Sequence, residues 1–151
     1  MIVQYMLLLL CINSEASAFD TKSICENFEK KISIINGPEI EKAQEIFDDF
    51  KNKYNVNCDD GGPAEMLSLI AVDSVGISRN RFMKTLGLIK GGIVNETFIL
   101  RHLDAIGEKQ SLSNAIEFSK NSCPAGYKIY CSKIITKCTA ALKQQKEWAG
   151  N

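Results

Sequence analysis

Apolar residues recur at three- and four-residue steps along most of the chain, the period of a helix buried on one side. Ile40, Ala43, Phe47, Phe50 and Tyr54 keep that step, while Glu39, Glu41, Lys42, Glu45, Asp48, Asp49, Lys51 and Lys53 occupy the opposite face. Gly37-Pro38 opens this helix, proline being accommodated where no backbone donor is needed. Asp59-Asp60-Gly61-Gly62 reads as a loop, and Pro63 fits the first turn of a second helix. There Met66, Leu67, Leu69, Ile70, Val72 and Val75 cover most of the circumference, which predicts a central position.

The same pattern continues to the end. Phe82, Leu86 and Ile89 mark a helix stopped by Gly91-Gly92, and Asn95 caps one carrying Phe98, Ile99, His102, Leu103 and Ile106. Leu112, Ala115, Ile116 and Ser119 make a short helix; Pro124-Ala125-Gly126 then turns the chain into a long one bearing Tyr127, Tyr130, Cys131, Ile134, Ile135, Cys138, Ala141 and Leu142. Residues 19 to 35, with Ile24, Phe28, Ile32 and Ile35, predict an N-terminal helix. Strand alternation and internal repeats are both missing from the sequence. The expected fold is all-α: one compact domain of six to seven short helices, stabilised by about two disulfides.

The first eighteen residues follow a different rule. Ile2 to Ile12 is apolar except for Gln4, and Ala16-Ser17-Ala18 supplies the small-x-small pattern that signal peptidase requires. A dozen apolar residues are too few to cross a hydrocarbon core of about 30 Å. Residues 1–18 are therefore read as a signal peptide and 19–151 as a secreted, extracellular helical domain. Removing the leader takes away one acid, Glu15, from 18 acidic and 18 basic residues. So balanced a chain argues against nucleic acid or a membrane surface as partner, since both attract clustered positive charge.

Secretion changes the cysteine count as well. Cys11 leaves with the leader, so Cys25, Cys58, Cys123, Cys131 and Cys138 remain, an odd set in an oxidising compartment. Two bridges and one leftover thiol can be drawn fifteen ways, five choices of thiol with three pairings each. On one continuous helix Cys131 and Cys138 lie about 10 Å apart, beyond disulfide reach, which leaves twelve. Zinc is not expected: no C-x2-C pair is present and His102 is the sole histidine.

The search for chemistry yields no catalytic set. His102 is the only imidazole that could serve a nucleophile, and it stands on a helix between Arg101 and Leu103 without a nucleophile elbow, as a partly exposed structural histidine would. Asp48-Asp49 and Asp59-Asp60 lack the alternating ligands of a calcium loop and read as solvated acids. No cofactor is expected, and the chain is read as a binding protein, not an enzyme. Asn95-Glu96-Thr97 is a glycosylation sequon, expected to compete with the capping role of Asn95.

Residues 82 to 100, with a Leu-Gly-apolar-apolar step, a glycine turn and Asn95 opening the next helix, resemble the central segment of insect odorant-binding proteins. Cys123, Cys131 and Cys138 resemble the last three cysteines of that family, and residues 50 to 56 the end of its first helix. The family's first three cysteines would fall near Phe50, Ile77 and Arg81, none of which is a cysteine here. The resemblance implies helices around an apolar cavity closed by a C-terminal tail, and a pairing of Cys123 with Cys138; Cys25 and Cys58 have no counterpart in the family and are expected to pair with each other. The expected function is a secreted carrier or scavenger of a small hydrophobic or amphipathic ligand, as in sensory fluid or in the salivary branch of the superfamily. Expected lining residues are Met66, Leu69, Ile70, Phe82, Leu86, Phe98, Phe118 and Tyr127, with Trp148 as a lid. The alternative is a salivary or venom effector that inhibits a host or receptor protein through its surface, with no cavity.

Overall fold

A computed structural model describes residues 20–150; the expected signal peptide, with Cys11, lies outside them. The described residues form α1 (20–33), α2 (Ile40–Tyr54), α3 (Gly61–Gly76), α4 (Arg79–Lys90), α5 (Glu96–His102), α6 (Lys109–Asn121), a 3-10 turn (Ala125–Tyr127) and α7 (Lys128–Ala149). No strand occurs among them. The fold is all-α; α3 already begins at Gly61, within the stretch read as a loop, and α5 stops at His102, short of the Leu103 and Ile106 expected on it.

Local caps fix several helix ends. Asn55 takes the left-handed conformation after α2 and returns its N–H to the Lys51 carbonyl. The Asp60 carboxylate accepts from Gly61 N at the start of α3, and Ser78 Oγ accepts from Arg81 N at the start of α4. Each cap satisfies a backbone group that the helix leaves without a partner.

As its all-round apolar pattern requires, α3 sits at the centre, packing on α2, α4, α5 and α6. Leu67, Ala71, Val72 and Val75 are fully buried. From α1, Phe28 and Ile32 complete the core, with the Phe28 ring 5.4 Å from Phe50 and 6.1 Å from Phe47. Side chains of this size contribute about 1.5–3 kcal/mol each on full burial. Polar pins then fix the helix positions. Thr85 Oγ1 donates to the Ser74 carbonyl, Ser111 Oγ to Asp73 and Asn114 Nδ2 to the Gly76 carbonyl. Gln145 Nε2 ties α7 to the carbonyls of Ala105 and Gly107.

Two disulfides close the structure. Cys25–Cys58 fastens α1 to the loop before α3, as expected, but the second bridge is Cys123–Cys131 and not Cys123–Cys138. The 3-10 turn folds the chain back so that Cys123 meets the first turn of α7, with the two Cα atoms 6.3 Å apart. Cys138, two turns further along α7, is the free thiol among the described residues and is fully buried. Burial pushes its pKa up to about 12, so it stays protonated and unreactive at neutral pH. Iodoacetamide should therefore modify Cys138 only after denaturation, read by peptide mass spectrometry; rapid labelling of the native protein would contradict its sealed position.

Two bridges fit an oxidising compartment. Among the described residues no helix is long and apolar enough to cross a membrane.

Candidate functional site

The most chemically loaded groove runs between α2 and α5. Its volume is about 200 Å³, and it is lined by Gln44, Phe47, Asp48 and Lys51 of α2, Asp59 of the following loop, and Asn95, Thr97, Phe98 and Arg101 around α5. Helical spacing places Gln44, Phe47, Asp48 and Lys51 on one side of α2. Gln44 joins the walls, its Oε1 accepting from Asn95 N at 2.7 Å.

Apolar chemistry comes from rings packed at an angle to one another. Phe47 and Phe98 lie 5.4 Å apart, and Phe98 meets His102 edge-on at 5.0 Å. Because Phe47 also touches Phe28, the wall of the groove is continuous with the core and well fixed.

Its polar end is a buried carboxylate. The Asp59 side chain is 2 % exposed, with Arg101 Nε 2.6 Å from Oδ2 as an ion pair. His102 Nε2 is 3.5 Å from Oδ1 and makes no hydrogen bond. A carboxylate this deep is held by its partners, and Arg101, still 57 % exposed, carries the charge to the mouth of the groove. Asp59 and the buried His102 correct the sequence reading, which took one for a solvated acid and the other for a partly exposed residue. The local signal was the covalent neighbour: Cys58 is buried and bridged to α1, which anchors the backbone beside Asp59.

Burial lowers the His102 pKa below the ordinary value of about 6.5; the Asp59 carboxylate opposes this and Arg101 adds to it. Folded His102 is thus neutral where the unfolded chain already takes a proton. The stability it confers is complete above pH 6.5 or so and is lost as pH falls below that. The melting temperature should drop as pH falls below about 6.5, and His102→Gln should flatten that fall; an unchanged slope in the variant would count against this role.

The residues expected to line a cavity are not brought into one site. Phe82 and Leu86 are sealed in the core, Phe82 against Phe118 at 6.0 Å. Ile70 and Phe118 are half-buried on that core, and Tyr127 packs on Tyr130 beneath the Lys90 ammonium. Leu69 and Trp148 are about half exposed. Phe98 lines the α2–α5 groove, and Met66 lines another, with Glu26, Glu29, Lys30 and Ser33. Both grooves, and a third between α1 and α2, open to solvent.

Asn95 caps α5 through Oδ1, which accepts from Thr97 N at 2.8 Å. The cap does not use Nδ2, the atom an N-glycan takes, so capping and glycosylation are sterically separate roles rather than competing ones. Any glycan there would stand at the edge of the groove. No protein-family model matches the chain, and no curated protein or solved structure matches it either.

Proposed function

We propose that the protein is a secreted, non-enzymatic binder that carries or sequesters a small amphipathic ligand in the groove between α2 and α5. The observation that carries this reading is the juxtaposition of the Phe47–Phe98 wall with the ion pair between buried Asp59 and exposed Arg101. An apolar surface with a few convergent polar groups at one end is the usual composition of a small-molecule site. The rings would take the apolar part of the ligand, and Arg101 and Asp59 its polar head. A volume of about 200 Å³ lies below the roughly 300 Å³ at which pockets for drug-sized molecules begin, so the ligand is small. The two disulfides and the signal-like leader support an extracellular setting.

The test is titration with a fluorescent apolar probe, coupled to native mass spectrometry for co-purified ligand. Saturable one-site binding is expected. Asp48→Trp, which fills the groove from an exposed position, should weaken it by about tenfold or more. Equal binding by wild type and variant would remove the groove from the proposal. A second reading, an effector acting on another protein through its surface, draws on the exposed Ile77, Ile129 and Trp148; absence of any saturable small-molecule binding would favour it.

A further inference from the structure

The geometry points to a second binding site, in the groove between α1 and the end of α2, that takes a phosphate monoester carried on a flat ring, the chemistry of a nucleoside monophosphate. This groove is the roomiest of the three, at about 700 Å³, and shares none of its lining with the α2–α5 groove. Phe50 lies at its base, 7 % exposed, and Tyr54 stands at its rim with a ring 5.4 Å away. Lys30 and Lys31 enter from α1 and Lys53 from α2.

What distinguishes these lysines is that three of them converge on one groove with their charges unneutralised. Lys22, Lys42, Lys84, Lys133 and Lys143 each sit against a glutamate. Among the described residues Lys30, Lys31 and Lys53 form no ion pair, and two of them rest on rings instead. Lys31 Nζ is 5.3 Å from the centre of Phe50, and Lys53 Nζ is 5.0 Å from that of Tyr54. A ring face attracts an ammonium without neutralising it. Three cations and the single acid Asp49 give the lining a net charge of +2 (3 minus 1). A phosphate monoester carries about −1.5 to −2 near pH 7, and lysine serves as a point-charge partner for phosphate. Tyr54, 39 % exposed at the rim, offers its ring to the planar part once the Lys53 ammonium moves from that ring onto the phosphate. Charge and ring together select the combined molecule over either half.

Calorimetric titration of the purified protein with adenosine monophosphate, adenosine and inorganic phosphate tests this. The monophosphate should saturate one site, with each half binding at least about tenfold more weakly. Raising salt from about 0.02 to 0.2 M should weaken it, since the charges are solvent-exposed. Lys31→Gln combined with Lys53→Gln should weaken binding by about tenfold or more. Asp49→Asn should tighten it severalfold, a gain that misfolding cannot produce. Asp48→Trp, in the other groove, should leave it unchanged, which separates this site from the proposed carrier site. Binding of the monophosphate no tighter than that of phosphate, or indifference to Asp49→Asn, would overturn the assignment.

Discussion

Gly76→Ala should destabilise the protein by about 3 kcal/mol or more, lowering both its melting temperature and its urea midpoint, whereas Gly87→Ala should raise stability by about 0.4–1 kcal/mol. The chemistry of the two substitutions is identical and the surroundings decide the sign. A Cβ on Gly76 would fall 2.0 Å from the Ser111 carbonyl oxygen and 2.8 Å from its Cα. These are backbone atoms of α6, which no rotamer change can move aside. To admit one methyl group, α3 and α6 must separate at their closest approach. That strains the hydrogen bonds from Ser111 to Asp73 and from Asn114 to the Gly76 carbonyl. Gly87 lies inside α4 with nothing within 4 Å of its added Cβ, so alanine there only restricts the unfolded chain and improves the helix. Equal effects of the two substitutions in urea titration would disprove the close α3–α6 crossing.

That contrast also shows where sequence and structure part company. Elements were legible because they depend on local rules. The one-sided pattern of α2 buries Ile40, Ala43 and Phe50, and Asn95 caps α5 as its position before Phe98 and Ile99 implied. The central place of α3 was legible for the same reason, since a helix without a polar face has nowhere else to go. Long-range consequences were not. Gly76 looks like an ordinary helix end until α6 is laid across it. The second bridge depends on a three-residue 3-10 turn that brings Cys123 back to Cys131, and the pairing drawn from the family resemblance passed over it.

The candidate site was hidden for a related reason. Periodicity put Phe47 on the buried face of α2, and Phe98 was expected in a closed cavity with other residues; both pack on the core, Phe98 being 8 % exposed. No local pattern says that the remaining edge of each ring faces a common groove. Asp59 beside Asp60 looks like half of a solvated acidic pair. In the fold Asp60 caps α3 while Asp59 turns inward to Arg101 and His102, so adjacent identical residues have opposite environments. The aromatic series from Tyr54 through Phe50, Phe28 and Phe47 to Phe98 joins both proposed sites to one rigid core. The rings give each site its apolar surface, and the polar residues at each mouth distinguish the two.

Replacing Cys25 and Cys58 together by serine should reduce stability by about 4 kcal/mol, against about 2.5 kcal/mol for the Cys123 and Cys131 pair. The difference follows from loop length. The first bridge spans 33 residues and the second 8, so the first removes more freedom from the unfolded chain. Native position adds to it. The second bridge joins a turn to the helix that follows immediately, a contact that local chain connectivity favours by itself. The first holds α1 against the loop that carries Asp59, and without it the inward turn of that carboxylate depends on the Arg101 ion pair and the contact with His102. Probe binding in the α2–α5 groove should therefore weaken in the Cys25/Cys58 variant under conditions where circular dichroism shows it still folded. The Cys123/Cys131 variant should bind as the wild type does. Urea titration of both variants, followed by probe titration below the unfolding transition, separates the two effects. If the short-loop variant proved the less stable, or lost binding equally, the groove floor would not be held by the Cys25–Cys58 bridge.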